Sequence, residues 1–297
     1  MTQNLASEQE LQRLIDKAGV LMEALPHIQR FRDAAVVIKY GGHAMIDAGL
    51  KEMVMQDLVL MENIGINPIV VHGGGPEITA LMDRVGLQAQ FVDGQRVTDA
   101  DALDIAEMVL AGKLNGDIVT RLNRLGGRAV GLSGKDAQLI VARKLVTEAG
   151  RDIGYVGEVE QVNVEILRIL ERTNYIPVIS PIGAAADGQT YNINADTVAA
   201  QCAMALQARK LILLTDVRGI CRDPRDPATL LNRVAVEEIE PLIREGVIKG
   251  GMIPKVRACR DAIAAGVASA HILDGRLPHA LLIELFTDRG IGTMITA

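Results

Sequence analysis

Short aliphatic runs alternate with longer stretches of helical period along most of the chain. The runs at 35–39, 68–72, 128–132, 177–180, 210–215 and 269–273 have the length and Val/Ile/Leu content of buried strands. Between them, apolar residues at helical spacing predict helices over 50–64, 77–85, 100–110, 164–172, 196–206 and 253–265. This alternation predicts an α/β fold with an open, mostly parallel central sheet sandwiched by helices. Two aliphatic stretches, 139–142 and 156–161, flank a Gly-bearing loop and break the rhythm. They predict an antiparallel hairpin laid beside the sheet. No repeat or low-complexity tract interrupts the pattern, so any two lobes would share one continuous sheet and core.

Residues 7–25 read as an amphipathic helix. Ser7 and Glu10 have capping-box spacing, Leu11, Leu14, Ile15, Ala18, Met22 and Leu25 recur at helical intervals, and Pro26 is expected to close it. Gly19 sits mid-helix, where a bend is tolerated. Because this helix precedes the first strand, it is available either to pack on its own domain or to serve as an arm on another subunit.

Composition narrows the reading. Across 297 residues there is no Trp, with three Phe and four Tyr, so the core must be aliphatic. The formal charge of −6 does not favour nucleic acid or anionic membrane. A polyphosphate would therefore be held by local cations and backbone N–H groups. Three cysteines without C-x-x-C spacing argue against a disulfide framework or zinc site and for the reducing cytoplasm. No uncharged run reaches membrane-spanning length, and Glu8, Glu10 and Asp16 stand where a signal peptide would be apolar.

Candidate chemistry gathers where strands end. Lys39 closes a strand ahead of Gly41 and Gly42; Gly73, Gly74 and Gly75 follow another and precede Pro76; Gly275 follows a third. Glycine allows close approach of backbone N–H groups to an anion, and in open α/β sheets ligands sit at these carboxyl ends. Two such turns after aliphatic strands, one beside a lysine, favour an anionic ligand over mere tight turns. The P-loop pattern, the G-x-G-x-x-G fingerprint opening the first βαβ unit, the protein-kinase set and G-x-S-x-G are all missing. Gly131-Leu132-Ser133-Gly134-Lys135 has its second glycine one residue early for a nucleophile elbow and reads as a strand end and turn.

Six segments occur in one order: VIKYGG at 37–42, VVHGGGP at 70–76, GQRVTD at 94–99, YNINADTVA at 191–199, LLTDVRGI at 213–220 and GGMIPKV at 250–256. Together they resemble the amino-acid kinase family, in its branch that phosphorylates N-acetyl-L-glutamate, over roughly residues 35–295. The resemblance implies the fold just described, with residues 1–30 an oligomerising extension, 31–207 a lobe for the acyl-amino acid and for dimerisation, and 208–297 a nucleotide lobe. It implies Lys39 and Lys255 as transition-state stabilisers and Asp196 as the acid that orients them. Asp196 is also expected to open and cap its helix. Gly74, Gly75, Arg96 and Asn192 would bind the acceptor, Arg96 as a bidentate fork on its α-carboxylate. Gly41, Gly42, Thr215, Asp216, Gly219, Gly251 and Met252 would bind ATP, with Mg²⁺ carried mainly by phosphates and water and no protein metal ligands.

The N-terminal helix and the segment IELFTDRGIGTMI resemble those of hexameric, arginine-inhibited members, implying a trimer of dimers with L-arginine held near Glu284, Gly290 and Gly292. Competing readings keep the fold with a carbamate or another carboxylate acceptor, or make the chain a silent arginine or nucleotide sensor. The Arg96 and Asn192 pair speaks against the first, and retention of Lys39, Lys255 and Asp196 against the second. An NAD-dependent oxidoreductase is the remaining outsider.

Overall fold

A computed structural model describes residues 8–297 except 46, 93, 148, 149, 288 and 289. A long helix, α1 (Glu8–Phe31), leads into β1 (Ala35–Tyr40), α2 (Ala48–Asn63), β2 (Asn67–His72) and α3 (Gly75–Arg84). A short ribbon, β3 (Phe91–Val92) and β4 (Gln95–Arg96), precedes one extended helical run. That run comprises α4 (Ala100–Glu107), a π-helical segment at Met108–Leu114 and α5 (Asn115–Arg124). Next come β5 (Ala129–Ser133), β6 (Ile140–Lys144), β7 (Val156–Val162), α6 (Glu165–Arg172), β8 (Ile176–Ser180), β9 (Ile182–Ala184) and β10 (Thr190–Ile193). The second half runs α7 (Ala195–Leu206), β11 (Lys210–Thr215), β12 (Arg233–Ala235), α8 (Val236–Arg244), α9 (Met252–Ala264), β13 (Ala270–Asp274), α10 (Ala280–Phe286) and β14 (Thr293–Thr296).

Eight strands form the main sheet in the order β12-β14-β13-β11-β1-β2-β8-β5. Only the β13–β14 pair is antiparallel. From β1 the chain moves outward to β2, whereas from β11 it moves to β13 on the other side. Adjacent strands whose connections diverge leave a crevice at their carboxyl ends, and here it opens between β1 and β11. All six expected strands lie in this sheet within a residue or two of their sequence limits.

Alternation along β1 explains why a continuous aliphatic run was needed. Val36, Ile38 and Tyr40 join one core, with Met55, Leu58 and Met61 of α2, while Val37 joins the other, with Val198, Ala199 and Cys202 of α7 and Val256 and Cys259 of α9. Both faces of the strand are buried, so its interior is aliphatic and the one charged residue, Lys39, stands at the carboxyl end, where the crevice opens.

Four expectations change. The first helix runs through Pro26 to Phe31 instead of stopping at residue 25, and Ser7 lies outside the described residues. Met22, whose carbonyl the proline leaves without a helical donor, is 66 % exposed, so water can satisfy it. The helix expected over 100–110 continues, through the π-helical segment, to Arg124. The hairpin exists, as antiparallel β6 and β7, but joins β9 and β10 in a closed four-stranded ring. Those two strands are too short to announce themselves by periodicity. Finally, α7 begins at Ala195, and its cap is Asn194, whose side chain accepts from the Asp196 and Thr197 N–H groups. The carboxylate of Asp196 is thereby left for other partners.

Candidate active site

Two cavities meet at the crevice. The first, of about 310 Å³, is lined by the residues after β1 and β2 and by Arg96, Asn192 and Asp196. The second, of about 640 Å³, is lined by the loop after β11, by Lys249 and by the start of α9.

Lys39 reaches the first cavity from β1 and Lys255 the second from the first turn of α9. Asp196 joins them: its Oδ2 accepts from Lys255 Nζ at 2.6 Å, and its Oδ1 lies 3.3 Å from Lys39 Nζ. Burial alone would push this carboxyl up, but the two ammonium groups outweigh it and hold Asp196 below the ordinary carboxylate range. The acid is therefore ionised and acts as a charged anchor, not a proton carrier.

The crevice forbids side chains at one turn. Gly42 has φ +70°, and a Cβ there would collide with the Asp216 carboxylate across the gap between the two strand ends. Gly41 and Gly42 line the first cavity, on the side of the acceptor candidates, and Gly42 also lies against Asp216 of the second.

Arg96 is buried on β4. Its Nη2 donates to the Gly75 carbonyl at 2.9 Å and to Thr79 Oγ1 at 2.7 Å, its Nη1 lies 3.3 Å from Met82 Sδ, and its guanidinium stacks 4.8 Å from the Phe91 ring. These bonds lock the fork against the start of α3, so that its position follows the glycine turn. Asn192, on β10, donates to Thr98 Oγ1 at 3.4 Å, and Thr98 in turn donates to the Arg96 carbonyl at 3.0 Å. Thr98, Phe91 and Thr79 thus support the site, although the sequence reading passed over them. Thr98 stood inside the quoted GQRVTD segment, while Phe91 was one of only three phenylalanines and had no spacing signal.

Thr215, Asp216, Gly219, Gly251 and Met252 all line the second cavity together with Lys255. The Thr215 hydroxyl has its one hydrogen within reach of two carbonyls, that of Val217 in the loop at 2.9 Å and that of Leu273 on β13 at 3.2 Å. Lys249, Arg218 and Arg276 add positive charge that the sequence reading missed. Arg276 is held by a two-pronged bond to Asp274, at 2.8 Å on each prong.

Glu284, Gly290 and Gly292 lie elsewhere. Glu284 is buried, with Oε1 2.7 Å from His271 Nδ1 and 3.2 Å from Lys210 Nζ. Burial pushes its carboxyl up, but His271 and Lys210 prevail and hold it below its usual range. Gly290 sits against the same carboxylate, and Gly292 packs on the Ile272 carbonyl. Among the described residues, no group of three or more His, Cys, Asp or Glu converges as a metal cage, and no helix is long and apolar enough to cross a membrane.

A mostly parallel sheet whose strand ends open a crevice, with two lysines there and a buried acid between them, is the equipment of a phosphoryl-transfer enzyme. The model of the amino acid kinase family matches residues 34–274, and the chain belongs to that family. Its relatives include the acetylglutamate kinase of Desulforamulus reducens, 58 % identical over 95 % of this chain and 98 % of that one. Among solved structures, N-acetylglutamate synthase from Neisseria gonorrhoeae complexed with coenzyme A and N-acetyl-glutamate superposes with a TM-score of 0.84 at 27 % identity, over 94 % of this chain and 63 % of the synthase chain. The same synthase complexed with coenzyme A and L-arginine superposes with a TM-score of 0.80 at 26 % identity, over 94 % of this chain and 65 % of that one. The chain thus spans slightly under two thirds of the synthase.

Proposed function

We propose that this chain transfers the γ-phosphate of ATP to the γ-carboxylate of N-acetyl-L-glutamate, giving N-acetylglutamyl 5-phosphate for arginine biosynthesis. The observation that carries the reading is Asp196, which holds one lysine from each cavity at the point where the cavities meet. An oxygen of the acceptor carboxylate bonds to the γ-phosphorus as the bond from phosphorus to the β,γ-bridging oxygen breaks, and ADP leaves with those electrons. A carboxylate is already ionised near neutral pH, so the step needs no general base. What it needs is positive charge along the line of transfer. Lys39 supplies it to the phosphoryl oxygens and Lys255 to the departing β-phosphate, with Asp196 keeping both aimed.

The first cavity takes the acceptor. Arg96 offers its remaining N–H groups to the α-carboxylate, Asn192 serves the acetamido group, and the Gly74 and Gly75 N–H groups hold the reacting carboxylate. This makes residues 31–207 the acceptor lobe and 208–297 the nucleotide lobe. ATP occupies the second cavity over Thr215, Asp216, Gly219, Gly251 and Met252, its phosphates reaching toward Gly41 and Gly42. Mg²⁺ would accompany ATP and would add positive charge at its phosphates. A coupled assay of ADP release tests the reading: release should require N-acetyl-L-glutamate, and release with carbamate instead would overturn it.

Assembly and control extend the proposal. Leu11, Leu14, Ile15, Leu21 and Met22 of α1 fall on one side of the helix and are all more than half exposed, a face suited to a second copy of the helix in a homohexamer built as a trimer of dimers. L-Arginine, bound beside Glu284, Gly290 and Gly292, inhibits that assembly. The synthase complexed with L-arginine supports this, and an effector cation at Glu284 would compete with Lys210 for the carboxylate. The free thiols of Cys202, Cys221 and Cys259 suit a cytoplasmic location.

A further inference from the structure

Strand β2 ends in a histidine for which the transfer step has no use. His72 is fully buried, and its Nδ1 lies 2.9 Å from the Gly73 carbonyl oxygen. A carbonyl only accepts, so Nδ1 carries the hydrogen and Nε2 is left with a lone pair. Facing Nε2 at 3.3 Å is Nδ2 of Asn115. That atom must be the amide nitrogen, because it also lies 2.8 Å from the Val178 carbonyl, which accepts. Donors therefore run one way, from Asn115 to His72 to the carbonyl of Gly73. Burial pulls the imidazole down to about 4, against the opposing bond to Gly73, so the ring is neutral at working pH.

The end of that relay is the peptide between Gly73 and Gly74. A trans peptide points its C=O and N–H in opposite directions, so gripping the oxygen fixes where the Gly74 N–H aims. The preceding peptide is pinned as well, by the Gly73 N–H donating to the Tyr40 carbonyl at 2.8 Å. On the other side the turn rests on the π-helical segment. A Cβ on Gly74 would come within 2.5 Å of a Leu114 methyl and 2.6 Å of a Leu110 methyl. Asn115 is the first residue after that segment. A widened turn inside an α-helix changes the face that follows it, and such turns concentrate at functional sites. Here it seats two leucines against the glycine turn and brings an amide beneath the histidine.

We propose that His72 and Asn115, delivered by the π-helical segment, are positioning residues that aim the Gly74 N–H at the reacting carboxylate. This rests on the reading that Gly74 receives that carboxylate. Neither side chain touches substrate; each acts through the peptide it holds.

The direct test is spectroscopic and uses the full-length protein labelled with ¹⁵N-histidine. Long-range ¹H–¹⁵N spectra between about pH 5 and 8 should show a ring that stays neutral, protonated on Nδ1, where a free histidine would titrate near 6.5. Asn115→Asp should move that ring, because a carboxylate accepts where the amide donated and draws the proton to Nε2. Loss of one ring signal in His72→Gln assigns His72 apart from the buried His271, whose Nδ1 faces Glu284. A His72 ring that titrates or carries its proton on Nε2 overturns the proposal, as does a His72 ring left unmoved by a folded Asn115→Asp protein.

Kinetics supply the second arm. Asn115→Asp and Asn115→Leu should lower kcat with N-acetyl-L-glutamate roughly 10- to 100-fold, the scale of a small misplacement of a reacting group. The KM for Mg-ATP should stay within about twofold, since the second cavity is untouched. Folded variants with wild-type kcat would refute the positioning role. A wild-type protein unable to phosphorylate acetylglutamate would instead strike the functional reading and leave the tautomer result standing.

Discussion

Lys255 Nζ lies 2.6 Å from Asp196 Oδ2, joining the first turn of α9 to the first turn of α7. With Lys39 on the other oxygen at 3.3 Å, the cluster carries two positive charges and one negative. Its excess of one cation is presented to the crevice. Replacing either lysine by Met should lower kcat on the order of 10²–10³-fold, the usual loss for one preorganised charge. Asp196→Asn should also cost at least about 10²-fold, because the lysines lose their common anchor and repel each other. Steady-state assays with N-acetyl-L-glutamate and Mg-ATP read each outcome; wild-type turnover in either lysine variant would remove the proposed chemistry.

The same carboxylate makes a prediction about stability. Its native value is held below the ordinary 3.8 of an unfolded aspartate. A depressed carboxyl stabilises the fold above its unfolded value, and the contribution is lost as pH falls through the native one. Denaturant titrations from about pH 6 down to 3 should therefore show wild type losing an increment near the bottom of that range that Asp196→Asn lacks. A variant that tracks the wild-type curve at every pH would contradict the ion-pair account.

Arg96 should govern the acceptor alone. Its bonds to Gly75 and Thr79 fix the fork at the first cavity, away from the nucleotide residues. Arg96→Gln should raise the KM for N-acetyl-L-glutamate about 10- to 100-fold, in keeping with one charged hydrogen-bonding group of roughly 1.5–3 kcal/mol. Arg96→Lys should recover little, since an ammonium cannot reproduce the planar fork or its stacking on Phe91. The KM for Mg-ATP should hold in both, and a matching rise there would show that Arg96 shapes the whole crevice.

The sheet could be read directly from the sequence because its central strands are buried on both faces and so are aliphatic through their middles. The lysines, Asp196 and the glycine turns were legible because motif order survives in the chain. What escaped was local. Pro26 looked like a terminator, yet α1 continues, since an exposed helix can leave a freed carbonyl to water. Asp196 looked like a cap because it stands near a helix start, but Asn194 takes that role and frees the acid for the lysines. The π-helical segment has no compositional signature, so neither it nor the His72–Asn115 contact, 43 residues apart, had a sequence signal.

The exposed apolar stripe of α1 should be covered in solution. Deleting residues 1–30 should leave kcat within about twofold while reducing the mass seen by light scattering from hexamer to dimer and weakening inhibition by L-arginine. Catalytic residues begin at Lys39, on a strand that α1 does not enter, so turnover survives the loss. An intact hexamer with intact inhibition would rule out this role for the helix.

Asp57 gives a pH effect of the opposite sign to Asp196. It is fully buried on α2, and its Oδ1 lies 2.6 Å from Nδ1 of His279, which caps α10. Burial raises its carboxyl to about 6, although His279 and the Leu281 and Leu282 N–H groups pull it down. A native value above the unfolded one means that the folded state binds the proton more tightly. The contribution is therefore full below about 3.8 and is lost as pH rises to about 6. The gap of about two units corresponds to on the order of 3 kcal/mol. Asp57→Asn keeps an acceptor for His279 without the buried charge, so its stability relative to wild type should improve as pH rises from about 4 to 6 and then level off. Urea unfolding of both proteins at matched pH measures that difference, and a constant offset would show that Asp57 does not titrate in this window.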